Sequence, residues 1–192
     1  MVTHPRRPPG KSAVQLRISL NDHRPTIWRL LLAPGEIKLS KLHSIFPAVM
    51  GWEGYHLHQF DIGDRTYGVP DPEFEAEEFD CIDEETVTLS HVVDESMRFS
   101  YLYDFGDGWE HEVVVERIEP VLQVLKSAVC IDGEGACPPE DCGGTGGFRE
   151  LLDAITDPTH AMHDEYLHWI GRPFDPDRFS VAAANAALQR VR

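Results

Sequence analysis

Positive charge is what this sequence has least of. Its 192 residues carry 17 Lys and Arg against 33 Asp and Glu, a formal net charge of −16. Such a chain repels phosphate backbones and anionic membrane surfaces, so direct nucleic-acid binding is disfavoured. The basic cluster Arg6, Arg7 and Lys11 lies in a Pro-rich start that reads as a flexible tail over residues 1–12. Long apolar runs are missing too. Nothing approaches the roughly eighteen residues of a membrane helix, and the first ten residues lack the apolar stretch of a secretion signal. These absences predict a soluble, cytoplasmic protein. Cysteine is sparse, four in all, which in a reducing compartment argues for metal ligands or thiols over disulfides. There is no Gly-x-Ser-x-Gly elbow, no His-Glu-x-x-His helix and no dinucleotide fingerprint, and the Gly-rich run 143–147 has no Lys-Ser/Thr pair to make a Walker loop. No internal repeat is visible.

Apolar periodicity, in contrast, is plentiful. Residues 14–20 alternate apolar and polar as a half-buried strand does, and Ile27 to Leu32 forms a second strand after the turn Asn21 to Pro25. Leu42, Ile45, Phe46, Val49 and Met50 make a helical stripe, with Ser40 as N-cap, Gly51 as stop and Pro47 expected to kink or break it. Two hairpins follow: His56 to Ile62 with Arg65 to Val69 across Gly63-Asp64, and Met97 to Tyr103 with Trp109 to Ile118 across Asp104 to Gly108. Between them, residues 70–85 read as an acidic surface loop and Thr86 to Leu89 as a short strand. From residue 148 the period becomes helical, with stripes through Phe148, Leu151, Leu152 and Ile155, through Met162, Tyr166, Trp169 and Ile170, and through Val181, Leu188 and Val191 behind Ser180. Strands first and helices last predict an α+β fold: one domain over 13–192, with a mainly antiparallel sheet and one packed helix over about 13–120, a Cys/Gly-rich loop at 130–147 and helices over 148–192.

Three groups of residues could carry chemistry. Cys130, Cys137 and Cys142 are soft ligands that suit zinc if a histidine, for which His111 is the candidate, completes a tetrahedron. The alternatives are that these cysteines pack as small apolar residues or serve a redox role. A loop of Pro138, Pro139 and four glycines buries little, and a bound ion would supply its order. His56, Asp104, Asp107 and His111 form the candidate catalytic set, an oxygen-and-nitrogen metal site or an Asp-His pair; aspartates in turns also commonly bond their own backbone. His56 and His58, two apart on a strand, would point to one side and suit a shared ion. Glu140 and Asp141 read either as a general acid and base or as exposed carboxylates, and His160 and His163 as surface residues able to complete a cysteine site.

The segments Ile27-Trp28-Arg29, Met50-Gly51-Trp52 with His56-Leu57, Tyr103 to His111, Gly135 to Gly144 and Phe174-Asp175-Pro176 together resemble the plasmid pRiA4b ORF-3-like family, over a span from about residue 13 to the C-terminus. The resemblance implies an α+β fold with an antiparallel sheet. Cys130, Cys137, Cys142, His56, Asp104, Asp107 and His111 fall on positions of the family's motif; Cys81 and His58 do not. It also implies an association with plasmids and transposable elements, some members being labelled transposition accessory factors, and it implies no activity. Three readings stand: a zinc-binding module, a metal-dependent or Asp-His hydrolase, and a protein-interaction or DNA-transaction accessory factor. Whether the chain is an enzyme is open at this level, and a protein partner is compatible with all three.

Overall fold

The computed structural model describes residues 11–70, 81–123 and 125–191. Arg6 and Arg7 of the N-terminal basic cluster and most of the acidic stretch 70–85 lie outside them, whereas Lys11 and Ser12, expected to end a flexible tail, join the sheet: Lys11 C=O accepts from Val121 N–H at 2.9 Å and Ser12 opens the first strand. Among the described residues eight strands form one sheet in the order β5-β4-β3-β6-β7-β1-β2-β8, antiparallel except for β4 with β5. The α+β expectation holds.

Strand β1 (Ser12–Leu20) follows its sequence period: Val14, Leu16, Ile18 and Leu20 point into the core, and Gln15, Arg17 and Ser19 do not. It pairs with β2 (Trp28–Pro34) on one side and with β7 (Trp109–Pro120) on the other. Strand β6 (Arg98–Tyr103) makes the expected hairpin with β7, setting Tyr101 opposite His111 and Tyr103 opposite Trp109. The other hairpin joins β3 (His58–Ile62) and β4 (Arg65–Gly68), with Gly63 left-handed at the turn. Helix α1 (Leu39–Met50) lays its stripe on this sheet, and Phe46 meets Phe60 and Tyr101. Chain order thus delivers a two-layer core.

Several expectations are corrected. Helix α1 is capped at Lys38 without a side-chain bond, and Ser40 lies inside it. It runs through Pro47 unbroken, because the buried proline packs into the core and its carbonyl accepts from both Gly51 and Trp52. Thr86 to Leu89 is not a strand. After the three-residue β5 (Cys81–Asp83), Glu84–Thr86 is a 3-10 turn seeded by the Asp83 carboxylate accepting from Glu85 N–H, and Leu89–Val92 is one helical turn, α2. The 130–147 segment is not all loop. Cys130 sits on β8 (Val129–Glu134), an edge strand beside β2 that its glycine and acidic content concealed.

Helix α3 (Gly144–Thr156) begins in the glycines, four residues earlier than its apolar stripe implies. Helix α4 (His163–Ile170) ends at left-handed Gly171 as expected, and α5 (Val181–Leu188) starts at Ser180, whose Oγ accepts from Ala183 N–H. Helix α5 also closes the sheet edge. The Asn185 side chain accepts from Cys130 N–H at 2.9 Å and donates to Cys130 C=O at 2.8 Å, satisfying both groups that the edge strand would otherwise leave open.

Candidate metal centre

The turn after β6 places the first acidic residue. Asp104 is left-handed, with φ +57°, and its Oδ1 accepts from the Gly106 and Asp107 amides at 2.9 and 3.4 Å. That is the turn-bonding role aspartate takes locally, and it leaves Oδ2 aimed outward. The backbone N–H of Asp104 donates to Leu57 C=O at 2.8 Å, which ties the turn to the segment entering β3. His56 therefore lies just ahead of β3, beside Asp104, and not on the strand.

The third member comes from the Pro/Gly-rich segment. Trp52 stacks on Tyr103 at 5.0 Å, and its Nε1 donates to Pro138 C=O at 2.9 Å. Tyr103 O–H donates to Glu140 Oε1 at 2.6 Å, and Gly143 N–H donates to Asp107 Oδ2 at 3.1 Å. These bonds hold residues 138–143 over the β6–β7 turn, a source of order that needs no ion. They bring left-handed Asp141 to His56.

His56 Nε2 lies 3.5 Å from Asp104 Oδ2 and 3.3 Å from Asp141 Oδ1, is itself buried, and has no hydrogen-bond partner. Tyr55 O–H donates to the other oxygen of Asp141 at 3.0 Å. Among the described residues His56, Asp104 and Asp141 are the one set of three or more His, Cys, Asp or Glu side chains whose ligand atoms fall within 4.8 Å of one another. Electrostatics around the set are uniformly acidic. The Tyr55 hydroxyl is pushed up to about 12, first by its bond to Asp141, then by desolvation and by the carboxylates of Asp141, Glu140 and Glu53. Burial raises Glu140, offset in part by the bond from Tyr103 and by His56.

The other sequence candidates go elsewhere. Asp107 serves the backbone of Gly143. His111 is fully buried between Trp52 and Tyr101, with Nδ1 3.2 Å from Tyr101 O. His58 and His56 part company: the His58 ring stacks on His43 at 3.3 Å, and its Nε2 lies 2.7 Å from the buried Glu84 carboxylate. Cys130, Cys137 and Cys142 are not disulfide-bonded and, with His111, do not form a second set of converging ligand atoms. Cys130 and Cys142 are core residues, and burial raises all three thiols, Cys142 to about 12. Arg29, itself buried, sits beside Cys130 and Cys137. Its guanidinium donates to the carbonyls of Val49, Trp28 and Glu134 and lies over Phe179 at 4.1 Å. Asp141 is the residue that sequence reasoning does not pair with His56, since their 85-residue separation is bridged by tertiary contacts of Trp52, Tyr55, Tyr103 and Asp107.

Two buried histidines make a pH-linked prediction. Burial, with the neighbouring His58, lowers His43 to about 3, and burial lowers His111 to about 4. Both are below the unfolded value near 6.5, so the unfolded chain binds more protons between these limits. Stability is therefore present at neutral pH and is lost as pH falls from about 6.5 toward 4. At pH 5 each histidine is expected to have removed about 2 kcal/mol, readable as a lower urea midpoint at pH 5 than at pH 7. Equal midpoints would contradict it.

An α+β protein with a mainly antiparallel sheet and a His/Asp/Asp cluster over one hairpin end is the class that fold and site define. The chain belongs to the plasmid pRiA4b ORF-3-like family: the family model described as Plasmid pRiA4b ORF-3-like protein matches residues 12–183. It is 38% identical over 175 residues to the Uncharacterized protein y4hQ of Sinorhizobium fredii (strain NBRC 101917 / NGR234), covering 91% of this chain and 87% of that one. It is also similar to the crystal structure of MM3350, a protein of unknown function from Methanosarcina mazei Go1, with a TM-score of 0.81, 29% identity, and coverage of 90% of this chain and 97% of that one. Among the described residues no helix is long and apolar enough to cross a membrane.

Proposed function

We propose that this chain is a zinc-binding module whose ion is held by His56 Nε2, Asp104 Oδ2 and Asp141 Oδ1. The observation that carries the reading is the separation of the donors. Ligand bonds of about 2.0–2.1 Å in a tetrahedron put neighbouring donors about 3.3–3.4 Å apart. His56 Nε2 stands 3.3 and 3.5 Å from its two carboxylate oxygens without a hydrogen bond to either. A proton between such groups would draw one oxygen into hydrogen-bond contact, whereas a cation of this size fits both separations from His56, and the two carboxylate oxygens lie within 4.8 Å of each other. Two carboxylates and an imidazole neutralise a divalent ion, and three protein ligands leave a fourth position open, the arrangement of sites that take a further ligand.

This reading moves the centre away from the cysteines. It keeps His56 and Asp104 of the hydrolytic set and replaces Asp107 and His111 with Asp141. Untagged protein purified without chelators is expected to hold about one equivalent of zinc, and a Cys130→Ser, Cys137→Ser, Cys142→Ser triple variant to hold the same. Less than about half an equivalent in the parent would remove the module. Zinc lost only in the cysteine variant would return the centre to the sulfurs.

A further inference from the structure

Two of the three proposed ligands are flanked by apolar side chains that the core does not use. Tyr55 and Leu57 straddle His56 and are 60% and 66% exposed; Phe105 follows Asp104 and is 52% exposed. The bond from Asp104 N–H to Leu57 C=O joins the two segments, which sets their three exposed side chains at adjoining positions of the chain beside the centre. A site that held only an ion would gain nothing from exposing them, and clustered exposed apolar groups mark contact surfaces. The Tyr55 ring lies 4.3 Å from that of His56, and its hydroxyl holds Asp141, so the rim is continuous with the centre.

The sign of the partner follows from the sequence. Three of the stretches at this end of the molecule, 47–64, 99–116 and 133–147, contain no lysine or arginine, while Arg24 of the β1–β2 turn and Arg149 of α3 line a pocket with Thr145. Glu53, Asp107 and Glu140 surround the centre beside its own aspartates. A zinc ion offsets the two ligand carboxylates, and among the described residues no lysine or arginine forms an ion pair with the others. Nucleic acid and phosphorylated surfaces are repelled there, and a cationic chain is drawn in.

We infer that the rim of Tyr55, Leu57 and Phe105 binds a basic polypeptide segment carrying an apolar side chain, which packs on the rim while its lysines or arginines face the surrounding carboxylates. The inference names the partner of the proposed centre and rests on that reading only for the placement of the rim beside the ion.

The test is an amide chemical-shift titration of zinc-loaded protein with acetyl-Lys-Lys-Leu-Phe-Lys-Lys-amide. Saturable shifts are expected at residues 53–57, 104–107 and 141–143. Affinity should fall about tenfold or more for the Lys-Lys-Ser-Ser-Lys-Lys and Glu-Glu-Leu-Phe-Glu-Glu counterparts, and equally for a Leu57→Ser, Phe105→Ser double variant whose spectrum shows it folded. Shifts spread over other acidic surfaces, an affinity indifferent to the Leu-Phe pair or to the variant, no binding, or the same rim shifted by a single-stranded oligothymidylate would each overturn the inference. Zinc content separates the two ideas. Rim shifts in a protein that takes up no zinc sink the metal centre alone, and one equivalent of zinc without rim shifts sinks the docking surface alone.

Discussion

Replacing Gly144 with alanine is expected to cost about 3 kcal/mol or more, while the same change two residues on, at Gly146, leaves the protein as stable or slightly more so. Gly144 is left-handed, with φ +67°, and a Cβ there would overlap the carbonyl oxygen of Asp107. That obstacle is backbone, and Asp107 is in turn fixed by the β6–β7 turn and by Gly143 N–H, so neither side can yield cheaply. The close approach is what seats the 138–144 segment on the hairpin end. Gly146 has nothing within 4 Å of an added Cβ and lies within α3, where alanine is the better helix former by about 1 kcal/mol. Urea denaturation of the two variants reads the difference directly. Equal midpoints would mean that the glycines supply flexibility and nothing more.

That contrast also marks where the sequence is legible. The hairpins of β1–β2, β3–β4 and β6–β7 follow from local signals, a period of two broken by turn residues, and each joins neighbours in the chain. Helix α1 and the start of α5 follow from the 3.6 period and from Ser180. Strand β8 escapes the same logic. Its partner β2 lies about a hundred residues earlier, and Gly133 with Asp132 breaks the alternation because Phe179 covers the glycine, where a Cβ would collide with its ring. The candidate site divides in the same way. His56 and Asp104 are readable as chemistry-bearing residues because each sits in a distinctive local motif. Asp141 belongs with them through long-range contacts such as that of Trp52, which stacks on one strand end and bonds Pro138 eighty-six residues away. No periodicity encodes a contact of that range. The cysteines take their places from long-range contacts as well. Cys130 is committed to an edge strand with its backbone bonded to Asn185, and among the described residues the three sulfurs are not in the set of converging ligand atoms.

The substitution that tests the centre most sharply is Asp104→Asn. Asparagine keeps the Oδ1 acceptor that Gly106 and Asp107 use, and it tolerates the left-handed backbone at φ +57°, so the turn and the fold are expected to survive with little change in Tm. What it removes is the charged Oδ2 facing His56 at 3.5 Å, which becomes an amide without a ligand lone pair and puts a donor against the imidazole. Zinc affinity is expected to fall about 100-fold or more, since loss even of outer-shell partners costs 10–100-fold. Asp107→Asn, at a carboxylate that serves only Gly143 N–H in this arrangement, is expected to leave zinc affinity within about threefold of the parent, as a residue outside the ligand set should. Calorimetric zinc titration of the pair separates the two aspartates of one turn. Equal losses in both would show that the ion reads the turn's overall charge, and an unaffected Asp104→Asn would take the ion away from His56 altogether.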